Sequence, residues 1–112
     1  NGKYYMFYSA NDFRNPDYAV GFATADHPLG PWIKSSHNPI ISRLTTGING
    51  PGHGDLFPDN KGNLYYVFHT HFSNEKVGLR KTAMVRILFA GNSQNEPIKV
   101  ELSSLRFLEY TE

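Results

Sequence analysis

Tyr4-Tyr5-Met6-Phe7-Tyr8-Ser9 is met again in kind at Tyr65-Tyr66-Val67-Phe68-His69-Thr70, 61 positions further along. Each copy follows a Gly/Asn/Lys turn, and each leads through a polar loop into another apolar run. Alternate side chains of a strand point to opposite faces, so Tyr4, Met6 and Tyr8 share one face and Tyr5, Phe7 and Ser9 the other. Both faces are largely apolar or aromatic, and such a strand is expected to be covered on both sides. The repeated unit reads as a small antiparallel sheet. Repeats of roughly 40 to 50 residues, each a four-stranded sheet, mark the blades of a β-propeller, and long loops stretch that period. The other reading is two unrelated hairpins that share a β-forming composition. On the propeller reading the chain holds fewer than two blades, and its sheet faces need neighbours.

The rest of the chain is punctuated in the same style. Residues 10–17, with Asn11, Asp12, Asn15 and Pro16, form a turn-rich loop, and residues 18–24 return as a strand. A rigid turn at 26–31 precedes a short third strand at 32–35, and residues 43–49 read as a polar loop. Residues 56–63 read as a short strand and a turn. Residues 80–89 alternate, with Ala83, Val85, Ile87 and Phe89 on one face. A turn is expected over 90–97, and residues 98–100 with 105–108 offer one or two edge strands. No stretch has helical periodicity. The fold class is therefore all-β, built from antiparallel four-stranded blades.

A chain of 112 residues is one domain's worth or less and can bury a modest core. Its 11 basic and 10 acidic residues give a net charge of +1 with no long runs, so nothing draws it electrostatically to nucleic acid or an anionic membrane. Neutral partners are expected. The absence of cysteine excludes a disulfide framework and a thiolate metal site. No apolar run approaches a membrane span and no signal peptide opens the chain. Asn1-Gly2-Lys3 leads straight into a strand, from which an upstream portion is expected.

Gly50-Pro51-Gly52-His53-Gly54-Asp55 is the stretch that points to chemistry. Its glycines let main chain pass close to something else, and one imidazole projects from that tight backbone where a loop enters a sheet. The plainer reading is a tight bend whose histidine caps a carbonyl. His69 and His71, two apart on a strand, point to one face as two ligands of a zinc-like ion do, and with His53 and Asp55 they suggest a metal-dependent hydrolase. Against this, His69 takes the place of Tyr8 in the repeat and His71 faces solvent at a strand end. His27 and His37 lie in loops and read as surface residues.

Taken in order, the strand at 4–9, residues 17–25, Pro28-Leu29-Gly30-Pro31-Trp32, Asn38-Pro39-Ile40, Gly50-Pro51-Gly52-His53-Gly54 and the strand at 65–69 resemble the closing third of glycoside hydrolase family 43, which comprises arabinosidases, xylosidases and arabinanases. The resemblance runs over about residues 1–89. It implies a five-bladed propeller of which residues 1–49 are most of blade four and residues 50–112 are blade five. It places His53 near the propeller axis, at the sugar site, where the matching histidine helps hold a metal, often calcium. Arg80, in Gly78-Leu79-Arg80-Lys81, resembles an arginine that the family sets near the substrate, whereas Arg86 reads as structural. A secreted or periplasmic location follows from the same resemblance.

Family members invert the anomeric carbon with carboxylates from blades one, three and four, and the glutamate of blade four precedes the segment that matches residues 1–4. No catalytic residue is therefore assigned within this chain. Inversion needs two carboxyls roughly 6.5 to 9.5 Å apart, one of them with a raised pKa. Asp12, Asp17, Asp26 and Asp59 lie in turns, where Asp caps backbone amides. Glu75, Glu96, Glu101, Glu109 and Glu112 have polar surroundings, and Asp55 alone is placed for chemistry. The expectation is a fragment of an inverting glycoside hydrolase for arabinose- or xylose-containing glycans, whose partners are a polysaccharide and either the missing blades or further copies of itself. The rivals are a non-catalytic structural or sugar-binding blade pair and the histidine metallohydrolase. Tyr8, Phe13, Tyr18 and Phe72 are candidates for stacking on sugar rings.

Overall fold

The structure is a computed structural model in which residues 2–90 and 97–111 are described. It contains two antiparallel sheets and one short helix. The first sheet has the order β1 (Tyr4–Ala10), β2 (Ala19–Ala25), β3 (Ile33–Lys34), with Tyr4 opposite Ala25 and Ala10 opposite Ala19. The second has the order β4 (Gly52–Pro58), β5 (Leu64–Thr70), β6 (Lys81–Phe89), β7 (Ile98–Phe107). The repeat read from the sequence is visible here, because β1 and β5 each turn back into an antiparallel partner. β5 is flanked on its other side by β4, whereas β1 is an edge strand.

That difference corrects one expectation. Tyr4 and Met6 were expected to be covered, but they are 47% and 40% exposed, because no element among the described residues packs over that face of β1. The opposite face is buried as expected. Tyr5 and Phe7 pack against a core of Val20, Phe22 and Ile41 from the first unit and Tyr66, Phe68, Ala83, Val85, Ile87 and Ile98 from the second. The Phe7 and Tyr66 rings stack at 5.7 Å between centroids, so one continuous core joins the two sheets. β6 buries alternate residues Ala83, Val85 and Ile87, as its period predicts, but Phe89 at its end is exposed.

Asn38 completes the first sheet where β3 is too short to do so. Its side chain accepts from the Phe22 amide at 2.9 Å and donates to the Phe22 carbonyl at 2.8 Å, standing in for a strand partner. The loop expected at 43–49 contains one helical turn, α1 (Arg43–Thr46). Ser42 and Thr45 form a reciprocal cap: the Ser42 amide donates to Thr45 Oγ1 at 2.9 Å, and the Thr45 amide donates to Ser42 Oγ at 3.2 Å. One turn is too short to leave a periodic signal, so only the Ser-x-x-Thr spacing announced it.

The two edge segments expected near the end are one strand, β7, with an irregularity opposite Met84 and Arg86. The turn expected over 90–97 lies mostly outside the described residues, although the Ala90 amide donates to the Pro97 carbonyl across it at 3.0 Å. Glu96 and Glu112 also lie outside them. Arg86 has the structural role expected of it. Its Nη2 donates to Asn63 Oδ1 at 2.7 Å, and its Nη1 lies 3.8 Å from Glu101 Oε2.

Candidate functional site

The hexapeptide at 50–55 opens β4, and its conformation is set by what it passes. A Cβ atom on Gly50 would lie 2.1 Å from Cδ2 of the His71 ring, and one on Gly54 would lie 2.2 Å from the Val67 carbonyl oxygen. Both positions need the missing side chain, since no neighbour can retreat by more than an ångström in a close-packed interior. The pairing of β4 with β5 skips between Gly52 and Asp55, so His53 and Gly54 form a bulge. His53 itself has φ +55, in the left-handed region that non-glycine residues rarely adopt.

A contact from the other sheet holds that bulge. The His53 amide donates to Ser9 Oγ, at the end of β1, at 2.8 Å. The phenol of Tyr66 lies in the same knot, beside the Ser9 hydroxyl and the Gly54 amide. Burial pushes the Tyr66 phenol above its ordinary value, and those two neighbours partly offset the shift, so the group is uncharged at neutral pH. With its backbone fixed this way, the His53 side chain is exposed, and its ring lies 5.8 Å from that of exposed His69 on β5.

His71 departs from expectation. It was expected to face solvent at a strand end, yet it is only 6% exposed. Its amide donates to the Asn49 carbonyl at 3.0 Å, and its Nε2 lies 2.9 Å from the Phe13 carbonyl oxygen. A carbonyl only accepts, so Nε2 carries the proton. Its ring fills the space that Gly50 leaves open. No sequence signal marked Ser9 or the Phe13 carbonyl as partners, because both contacts join residues more than forty positions apart.

Arg80 precedes β6 on the same side. Its guanidinium carbon lies 4.8 Å from the centroid of the Phe13 ring, and it forms no ion pair with a described residue. Thus His71 and Arg80 meet on Phe13 in the loop after β1, while His53 is held at the end of β1 by Ser9 and lies beside His69. Each of the proposed sugar-stacking aromatics has a protein group near its ring. Phe13 is 50% exposed but lies under Arg80, Phe72 lies under Lys76 and Lys81, Tyr18 covers Gly52, and Tyr8 lies under Lys34. His27 and His37 are exposed, as expected.

The metal expectations can be tested on the donor set. Calcium takes six to eight oxygen ligands, and zinc takes three or four nitrogen, sulfur or oxygen ligands. Among the described residues no three His, Asp or Glu side chains come together. His53 offers one nitrogen, and His71 gives its Nε2 proton to a carbonyl. The described residues by themselves therefore fit neither ion.

The carboxylates near the site are engaged elsewhere. Asp17 pairs with Arg43 at 2.5 Å, and Asp55 Oδ1 accepts from the Leu56 amide at 2.8 Å. Asp12 accepts from Arg14 Nη2 at 2.6 Å, and this bond, with the Arg14 amide, holds its pKa down at about 2. A depressed carboxylate contributes to stability above its unfolded pKa, and the contribution is lost as pH falls towards 2. Arg14→Ala is expected to raise the Asp12 pKa from about 2 towards the ordinary carboxylate range, read by carboxyl carbon NMR over a pH titration. An unchanged midpoint would assign the shift to the backbone amide instead.

The sequence profile of glycosyl hydrolases family 43 matches residues 1–92. The chain belongs to this family. Among solved family-43 relatives, an endo-1,4-β-xylanase from Bacteroides thetaiotaomicron is 37% identical and superposes with a TM-score of 0.79, over 90% of this chain and 34% of that one. A thermostable family-43 glycoside hydrolase is 45% identical, with a TM-score of 0.77, over 89% of this chain and 32% of that one. A β-D-galactofuranosidase from Aspergillus niger is 26% identical over 106 residues, which are 94% of this chain and 31% of that enzyme. An extracellular endo-α-(1→5)-L-arabinanase from Thermotoga petrophila is 32% identical over 89 residues, 64% of this chain and 18% of that enzyme. The chain therefore spans between 18% and 34% of the length of these relatives.

Proposed function

We propose that this chain is one part of an inverting family-43 glycoside hydrolase for arabinose- or xylose-containing glycans. In this reading residues 1–49 are most of blade four of a five-bladed propeller and residues 50–112 are blade five. What carries it is that the family's Gly-Pro-Gly-His segment and Arg80 share one neighbour, Phe13: its carbonyl accepts from the His71 ring that packs on Gly50, and its own ring lies against Arg80. The choice of pentose glycans rests on the relatives: the xylanase and the arabinanase are 37% and 32% identical, the galactofuranosidase only 26%.

His53, exposed on its bulge, hydrogen-bonds sugar hydroxyls through an imidazole nitrogen. Arg80 donates to sugar hydroxyls from the edge of its guanidinium while Phe13 holds its face. The catalytic carboxylates come from outside this stretch. A general acid for inversion needs a raised pKa, and Asp12 is shifted the opposite way. A calcium ion beside His53 belongs to this reading only with its oxygen ligands drawn from outside the described residues. The open edge of β1 and the exposed Tyr4 and Met6 take the preceding propeller strands, or else drive self-association.

The test is release of nitrophenol from an α-L-arabinofuranoside and a β-D-xyloside. The purified 112-residue chain is expected to release none. The same stretch joined to the preceding blades of a family-43 enzyme is expected to be active, and His53→Ala or Arg80→Ala in it lowers kcat/KM by about 10- to 100-fold, mainly through KM for Arg80. Hydrolysis by the chain alone would sink the proposal. If that activity were lost with EDTA and restored by zinc but not calcium, the histidine metallohydrolase would replace it. Inactivity of both proteins would leave a non-catalytic blade pair.

A further inference from the structure

We infer that His71 is a positioning residue for Arg80. The inference rests on the reading of Arg80 as a sugar-binding group, and it adds a side chain that touches neither sugar nor reacting atoms.

Four observations fit together. His71 is almost fully buried, and a polar ring in that situation needs partners. Its Nε2–H finds one in the Phe13 carbonyl, 58 positions away in the chain and in the loop of the other sheet. Gly50, whose own amide donates to the Pro16 carbonyl of that same loop at 2.9 Å, leaves the space in which the ring sits. The ring of Phe13, held at its backbone in this way, lies against the Arg80 guanidinium at 4.8 Å.

The consequence is mechanical. Arg80 has no carboxylate partner among the described residues to fix its direction, so the aromatic face beneath it does that work. Phe13 is half exposed on a turn-rich loop, and its carbonyl would leave the end of β5 without the His71 bond. The path runs from the sheet, through one buried N–H, to a loop carbonyl, and from the ring of that same residue to the cation. It also explains why a histidine follows the strand at this point: the side chain must reach past the Gly50 backbone and end in a donor.

The experiment reads the Arg80 Nε–H resonance in the chain without substrate, so its outcome does not depend on any hydrolytic activity. Ring current from Phe13, 4.8 Å from the guanidinium carbon, is expected to place that resonance upfield of a free arginine. His71→Leu removes the donor and is expected to move the resonance to the free position. His71→Gln, whose side-chain amide supplies a donor at a similar reach, is expected to keep it upfield. Phe13→Leu is expected to move it while the His71 Nε2–H stays protected from exchange, since the backbone carbonyl remains. In the active propeller, His71→Leu is expected to raise KM about tenfold with less change in kcat, and His71→Gln to restore it. An unmoved Arg80 resonance in His71→Leu, or equal displacement in His71→Gln, would overturn the inference. Should His71→Leu fail to fold, His71→Asn takes its place: its shorter amide does not reach the Phe13 carbonyl, so it is expected to move the resonance, and an unmoved resonance would overturn the inference.

Discussion

Gly50→Ala is expected to destabilise the fold by about 2–5 kcal/mol. The sum combines roughly 1–2 kcal/mol for placing a side chain in the left-handed region with roughly 1–3 kcal/mol for forcing a methyl into a filled space. Gly50 has φ +62, and its new Cβ would lie 2.1 Å from a buried imidazole whose Nε2 donates to the Phe13 carbonyl and whose own backbone amide donates to the Asn49 carbonyl. The ring has no easy retreat. Since domains carry only about 5–15 kcal/mol of stability, the change takes a large share of it. Gly62→Ala is the control: φ is +81, but nothing lies within 4 Å of the added Cβ, so only the backbone cost of about 1–2 kcal/mol applies. Urea titration of both variants separates the two costs, through a lower midpoint at unchanged slope. Equal midpoints would mean that the Gly50 backbone and His71 are not in contact.

Phe22→Ala is expected to cost a further class of energy, about 3–5 kcal/mol, by leaving a cavity. Phe22 is 1% exposed, and its ring lies 6.3 Å from that of Tyr5 and 6.2 Å from that of Phe7. Phe7 in turn stacks on Tyr66 of the second sheet. The cavity would therefore open at the seam between the two sheets, where a change in one reaches the other. Leu44→Ala should change stability by less than about 0.5 kcal/mol, because that side chain is on the surface at 91% exposure. If Phe22→Ala unfolded only the first sheet and left β4 to β7 intact by hydrogen exchange, the two sheets would have separate cores.

Much of the fold was legible because strand formation is a local matter. Alternation at Ala83, Val85 and Ile87 foretold which face of β6 is buried, and the paired aromatic runs foretold two similar antiparallel units. Where the local signal was short, it misled. The turn of α1 hid in a loop because four residues carry no period, and the tail was left open between one strand and two because polar Ser103 and Ser104 interrupt β7. Tyr4 and Met6 read as covered because hydrophobicity reports that a residue wants a partner, not that this chain supplies one.

The site was half legible for a related reason. Glycine and proline spacing drew attention to His53, order of motifs gave the family, and a looser match of Gly78-Leu79-Arg80-Lys81 put Arg80 forward as a candidate. The sequence by itself determined the β class, the two-unit repeat, the family and the segment from which the imidazole projects, since each is written in neighbouring residues. The tertiary structure alone decided that His71 turns inward to a carbonyl 58 positions away, that Ser9 holds the His53 bulge, and that Phe13 bears Arg80 instead of a free face. Those contacts form between distant parts of the chain only when two sheets pack, and hydrogen bonds of that range leave no mark in local composition.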